Sequence, residues 1–94
     1  MKIYKYPLTV HGEQEIRLKL FETLCVMNQN NTPVLYAMVD DDLPEQTLSV
    51  SVVFTGEEAN LLGKYYVGTL QLIGASLATY VLHVFAKIKS WTTR

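Results

Sequence analysis

Two long apolar runs constrain this chain more than any other feature of its sequence. One spans residues 64–73 and the other residues 77–88, and both are rich in β-branched and aromatic side chains. Such residues suit the pleated, half-buried surface of a β-strand. The break between the runs, Gly74-Ala75-Ser76, has the length and the glycine that close a β-hairpin. The sequence therefore predicts a long hairpin onto which shorter strands pack.

Five shorter segments have the alternation or the apolar content of strands. They are residues 3–6, 15–20, 24–27, 34–39 and 47–54. In the last of these, the period of two places Val50 and Val52 inside, with Leu48 and Phe54, and leaves Thr47, Ser49 and Ser51 in solvent. Residues 57–62, with acids in the first turn, predict one or two turns of helix at most. We therefore expect an all-β, mainly antiparallel fold, a small sandwich or barrel of six to seven strands with at most one short helical segment.

Length and charge limit the classes of protein that remain. The 94 residues suffice for one domain with a modest core. A net charge of −1 gives no overall attraction to nucleic acid or to a membrane surface, so we expect neither direct DNA binding nor membrane association. Cys25 is the single cysteine, so no disulfide can form within the chain and a reducing cytoplasm is expected. The first seven residues lack the apolar core of a signal peptide.

The polar clusters match no catalytic or metal-binding pattern. Residues 40–42 with Glu45 are the densest acidic cluster, but they lack the alternating ligands and the turn glycine of a calcium loop. A solvated turn is the favoured interpretation. His11 and His83 are far apart and have no third ligand for zinc, and His83 is expected to be partly buried and hydrogen-bonded. Cys25 is typical of a small core residue. We therefore expect no enzyme activity, no metal and no cofactor.

Tyrosines and one pair of cations are suited to ligand binding. Arg17 and Lys19 alternate on one exposed strand face and could pair with a phosphate or with a partner's acids. Tyr36, Tyr65 and Tyr66 are the best aromatic candidates for holding a base, because their strands are expected near the middle of the sheet. The alternative is that these tyrosines simply lie on the sheet surface and that the cations form a solvated face.

The second apolar run also predicts self-association. It is apolar on both faces, with Tyr80, Leu82 and Val84 on one of them. A single domain of this size could hardly cover both faces. We therefore expect this face, together with Trp91, to meet a second copy in a symmetric dimer or a higher oligomer.

Five motifs, mostly strand cores, occur in a recognisable order. They are Ile3-Tyr4-Lys5-Tyr6, the run from Pro33 to Asp40, Phe54-Thr55-Gly56, the run from Tyr66 to Leu72, and Leu82-His83-Val84-Phe85. Together they resemble a family of short phage and prophage proteins of unknown function. The chain departs from that family in a longer turn between the last two strands and in residues 86–94, expected to be a C-terminal extension of the single domain 1–94. The resemblance implies a phage gene product acting in a bacterial host cytoplasm.

A short phage product without catalytic residues would act by binding, either by covering a host protein or by holding a small molecule. The leading hypothesis is an anti-defence protein, an oligomeric sponge that sequesters a nucleotide-type bacterial immune signal. One alternative is direct inhibition of a host defence effector or nuclease, although nuclease inhibitors that mimic DNA tend to be strongly acidic and a net charge of −1 does not fit that strategy. The other alternative is a structural or assembly protein whose exposed strands serve self-association.

Overall fold

The chain folds into seven β-strands. The computed structural model describes residues 1–91, with the backbone alone for residues 90 and 91. The strands are β1 (Lys2–Pro7), β2 (Gly12–Leu18), β3 (Leu20–Gln29), β4 (Thr32–Val39), β5 (Gln46–Phe54), β6 (Tyr65–Ile73) and β7 (Thr79–Trp91). All paired strands are antiparallel, which confirms the predicted all-β class. Residues 1–91 contain no helix long and apolar enough to cross a membrane.

Two sheets pack face to face around one core. The three-stranded sheet has the order β1-β4-β3, and the four-stranded sheet has the order β2-β5-β7-β6. The inner faces of β4, β5 and β7 supply the most deeply buried side chains, among them Leu35, Leu48 and Leu82, each 0% exposed. Central strands of a sandwich are covered on their inner face by the opposite sheet, and they therefore supply most of the core.

The predicted terminal hairpin is confirmed. β6 and β7 pair from Ile73 and Thr79 back to Tyr65 and Ala86, with one irregularity beside Gly68. The turn is closed by hydrogen bonds from the Gly74 amide to the Ala78 carbonyl (2.8 Å) and from the Leu77 amide to the Gly74 carbonyl (3.0 Å).

The C-terminal end of β7 belongs to the sheet. Residues 86–91 continue to pair with β5 as far as Gln46. The prediction that residues 86–94 are an extension is therefore wrong for residues 86–91, because their backbone completes the ladder of β5. Residues 92–94 lie outside the described part of the chain.

The segment between β5 and β6 contains no helix. Where residues 57–62 were expected to form a helical turn, the chain makes tight turns closed by the bonds Glu57 N to Phe54 O (3.1 Å) and Lys64 N to Leu61 O (3.0 Å). The carboxylate of Glu57 also accepts a bond from the Phe54 amide (2.9 Å), so this acid caps the end of β5 rather than the start of a helix.

The two serines of β5 are not in solvent. Ser49 is 2% exposed and Ser51 is 8% exposed, although both lie on the outer face of the sheet. Their cover is the side chain of Lys64, itself 5% exposed, whose ammonium donates to Ser49 Oγ (3.1 Å) and Ser51 Oγ (2.5 Å) and also to Glu13 (2.6 Å). The expectation of a solvated serine face is wrong, because the segment that leads into β6 folds back over it.

One side of the sandwich is closed by side-chain amides. Asn31, in the turn between β3 and β4, donates from Nδ2 to the Ile73 carbonyl and accepts from the Ile73 amide, both at 2.8 Å. Asn28 Nδ2 donates to the Gln71 carbonyl at 2.7 Å. These bonds replace a backbone ladder between β3 and β6. The opposite side, between β1 and β2, has no such closure among the described residues.

Candidate functional site: the cleft between β1 and β2

A cleft of about 250 Å³ opens on the side of the sandwich where β1 and β2 are the two edge strands. Its lining combines aromatic rings, two cations, two carboxylates and two aliphatic side chains. The lining residues are Tyr4, Tyr6, Arg17, Leu18, Lys19, Val39, Asp41 and Glu45. An open concave site with apolar walls and a few converging polar groups is the usual form of a small-molecule site.

Two tyrosines of β1 form the aromatic wall of the cleft. Tyr4 and Tyr6 alternate with Lys5, so they share the face of β1 that looks toward the opposite sheet. Tyr6 packs against the core, while Tyr4 remains 46% exposed. Burial, and secondarily the nearby Tyr4, raise the pKa of Tyr6 above its ordinary value of 10.0.

The cations of the cleft come from the end of β2 and the residue that follows it. Arg17 donates to Glu45 Oε1 at 2.7 Å, and both side chains are substantially exposed. Lys19 Nζ lies 3.4 Å from the carbonyl oxygen of Asp41. Arg17 is therefore held by a carboxylate and Lys19 lies near a backbone carbonyl of the acidic turn, and both side chains line the cleft.

The structure brings together only part of the predicted ligand-binding set. Arg17 and Lys19 do share a site, but none of the three expected tyrosines lies in it. Tyr36 is on the outer face of the three-stranded sheet, with its hydroxyl 3.5 Å from Gln29 Oε1. Tyr65 accepts a bond from Thr23 Oγ1 (3.2 Å) at the β3–β6 side of the sandwich.

Tyr66 lies on the outer face of the four-stranded sheet, in a short polar chain. Its hydroxyl is 2.6 Å from Thr69 Oγ1, which is 3.0 Å from His83 Nδ1, and His83 Nε2 is 2.7 Å from Thr55 Oγ1. Both ring nitrogens of His83 are thus occupied and the side chain is half-buried, which confirms the expectation of a hydrogen-bonded histidine. The ring of Tyr66 meets Phe85 edge-on, with centroids 5.6 Å apart.

Two of the four predicted interface residues are buried. Leu82 and Val84 are each 0% exposed and lie in the core, so the prediction that they contact a second copy is wrong. They face inward because the three-stranded sheet covers this face of β7. Tyr80 is 46% exposed, next to Phe54 and against Gly74. The Trp91 side chain lies outside the described part of the chain.

The acidic turn is organised by its own backbone. Asp40 Oδ1 accepts a bond from the Asp42 amide at 3.0 Å, a local arrangement typical of aspartate in turns. Within the described residues no group of three or more histidine, cysteine or acidic side chains is placed to hold a metal ion. Cys25 is a half-buried free thiol on β3.

The fold and the cleft define a small antiparallel β-sandwich with one open side. The chain belongs to the family described as Domain of unknown function (DUF7352), whose model matches residues 1–93. This match includes residues 86–93, so these residues belong to the family domain rather than to an added segment. Comparisons with curated proteins and with solved structures gave no match.

Proposed function

We propose that this chain is a non-enzymatic binding protein that holds a small nucleotide-type ligand in the cleft between β1 and β2. The observation that supports the proposal is the combination of two tyrosines and two cations in one open cleft of about 250 Å³. A nucleotide needs a flat face for its base and a cation for its phosphate, and Tyr4 with Arg17 and Lys19 offers both.

The carboxylates of the cleft determine which ligand can enter. Arg17 is paired with Glu45, but an exposed ion pair of this kind contributes only about 0–1 kcal/mol. A phosphate carries more charge and accepts two parallel bonds from a guanidinium, so it can displace Glu45. Asp41 and Glu45 then become acceptors for ribose hydroxyls or for the amino group of a base, which favours a nucleotide over free phosphate.

The biological role that we propose is sequestration of a nucleotide-type immune signal by a phage-encoded anti-defence protein in the host cytoplasm. The resemblance of the chain to short phage and prophage proteins supports this setting. A sponge needs affinity rather than catalysis, and the cleft offers contacts of the kind that give affinity. Self-association would place several such clefts in one particle, as expected of an oligomeric sponge.

The test is a calorimetric titration with cyclic dinucleotides and ADP-ribose derivatives. We expect one of these ligands to bind, Tyr4→Ala to weaken binding by about 1–3 kcal/mol, and Arg17→Ala to weaken it by about 1.5–3 kcal/mol. Glu45→Gln should strengthen binding, because it frees Arg17. Tyr66→Ala is the matched control, since Tyr66 is similarly exposed but lies on another face of the molecule. Equal losses from Tyr4→Ala and Tyr66→Ala, or no binding at all, would contradict the proposal.

A second candidate function is direct inhibition of a host defence effector, and one observation favours it. The outer face of the three-stranded sheet exposes large apolar side chains, including Ile3 at 59% and Met27 at 53%. Exposed apolar groups that share a sheet face are typical of a protein-binding surface. The same surface would serve a structural or assembly role. Loss of a co-purifying host protein in Ile3→Asp and Met27→Asp, with no nucleotide binding by the parent chain, would favour inhibition over sequestration.

A further inference from the structure

The outer edge of β2 is a free strand edge with the properties of a pairing surface. β2 pairs with β5 on one side, and none of the other described strands pairs with it. Within residues 1–91, the backbone of Gly12–Leu18 makes no backbone hydrogen bond outside the β5 ladder. Alternate amides and carbonyls of the strand therefore point toward solvent, which is a template for pairing with another strand.

The other comparable edge, β1, is protected in the usual way. It carries Lys2 and Lys5 and ends in Pro7, and cations and proline are the residues by which edge strands avoid pairing. No residue of β2 is a proline, and its charges are of both signs. The two edges of the sandwich thus differ in their capacity to accept a second strand.

The charges along β2 are complementary to themselves under a two-fold rotation. Counting outward from Ile16, the outer face carries Glu15 and Glu13 in one direction and Arg17 in the other, with Lys19 one residue past the end of the strand. In an antiparallel pair centred on Ile16, Glu15 faces Arg17 of the second copy, and Glu13 faces Lys19. In a pair centred on Glu15 or on Arg17, that residue faces the same residue of the second copy, so identical charges lie opposite each other. A register shifted by one residue would place inner-face side chains opposite outer-face side chains.

We propose that two copies of this chain pair through their β2 strands, centred on Ile16, to form one continuous eight-stranded sheet. A second copy is the partner that the strand itself indicates, because its charges are complementary to those of the same strand running in the opposite direction. Opposite charges facing each other across an antiparallel pair stabilise it, whereas like charges destabilise it. A two-fold axis repeats each contact, so every pair acts twice.

The ion pairs within each chain continue across this pairing. Glu15 is bonded to Lys89, and Arg17 is bonded to Glu45. Placing Glu15 opposite Arg17 of the second copy joins the two pairs into a row of four charges that alternate in sign. Networks of this kind hold charged side chains more effectively than isolated surface pairs do. Pairing of the two copies requires no ligand in the cleft.

The test exchanges charges between two variants and measures particle mass without ligand. Arg17→Glu places two carboxylates opposite each other at both symmetry-related contacts, and Glu15→Arg places two guanidinium groups there. Each variant alone should therefore dimerise roughly 30-fold more weakly than the parent chain. In an equimolar mixture, Glu15 of the Arg17→Glu chain faces Arg17 of the Glu15→Arg chain, and the introduced glutamate faces the introduced arginine. Both contacts then join opposite charges, so the mixture should form a heterodimer. Lys5→Glu, the same kind of charge reversal on β1, is the control that should leave the dimer intact.

Sedimentation velocity from about 1 to 100 µM covers the range in which a specific interface should hold. The proposal predicts a dimer for the parent chain and for Lys5→Glu, dimerisation shifted to roughly 30-fold higher concentration for the two β2 variants, and a dimer for their mixture. Melting curves confirm that the variants are folded. A parent chain that stays monomeric, β2 variants that dimerise as well as the parent, or a mixture of folded variants that stays monomeric would each overturn it. Because no nucleotide is present, these outcomes do not depend on the proposed ligand.

Discussion

Replacing Lys64 with methionine should destabilise the fold although a lysine is usually a surface residue. The side chain is 5% exposed and lies along the outer face of the four-stranded sheet. Its ammonium donates to Glu13, Ser49 and Ser51, so one group satisfies three acceptors. Methionine keeps the apolar stem and removes only the charge and the donors.

The loss of stability in Lys64→Met depends on which of the three acceptors loses its only hydrogen-bond partner. Ser49 Oγ also donates to Glu13 (2.7 Å) and stays satisfied, whereas Lys64 is the partner found for Ser51 Oγ among the described residues. A buried hydroxyl left without a partner costs about 1–3 kcal/mol. Removing the buried ammonium also removes its desolvation penalty, so we expect a net loss of about 2 kcal/mol.

Thermal unfolding followed by circular dichroism measures this loss. For a domain of this size, about 2 kcal/mol corresponds to a fall in melting temperature of roughly 8–16 °C. Lys5→Met, the same change at an exposed lysine of β1, is the control. In a double-mutant cycle, Ser51→Ala should recover about 1 kcal/mol of the loss, because no hydroxyl is then orphaned. Equal melting temperatures for Lys64→Met and Lys5→Met would refute the role of Lys64 as the buried cover of β5.

The remaining predictions concern pH and two close contacts. Hydrogen bonds from Lys64 and, secondarily, from Ser49 lower the pKa of Glu13 from 4.5 to about 2. The stability that this carboxylate contributes above pH 4.5 should therefore be lost as the pH falls toward 2. Glu13→Gln should flatten that part of an acid titration of stability. Asn31→Gly should speed amide exchange at the end of β6, while Asn30→Gly, at the neighbouring positive φ, should not. Gly68→Ala places a methyl 2.8 Å from a Val26 methyl and should cost about 1–3 kcal/mol in a denaturant titration.

Most of the strands follow from sequence because their pattern is local. The alternation of β2 shows which of its faces is buried, the β-branched content of the β6 and β7 runs indicates strands, and the structure has strands at all seven expected places. The runs are apolar on both faces, however, so they do not show which face of β7 is covered. The solvent exposure of Ser49 and Ser51 was predicted wrongly for a physical reason. They alternate as solvent-facing residues do, and they are buried because a distant residue, Lys64, folds over them. No local pattern carries that information.

The residues of the cleft could likewise be predicted only where they are close together in the sequence. Arg17 and Lys19 could be paired from sequence because they are two residues apart on one strand. The aromatic partners could not, since only the pairing of β1 with β4 brings Tyr4 and Tyr6 to the side where β2 is the opposite edge. The sequence does contain one relevant pattern, the alternation within Ile3-Tyr4-Lys5-Tyr6, which places both tyrosines on the same face of a strand.

Native mass spectrometry of protein purified from bacterial cells tests the proposed sequestration most directly, because it reports subunit number and retained ligand together. The account predicts a particle of two chains of 10.7 kDa each that carries additional mass, and release of a nucleotide when the protein is denatured. The same preparation of Tyr4→Ala should lose the additional mass and keep the dimer. A single chain without bound small molecule, in a sample that remains folded, would contradict it.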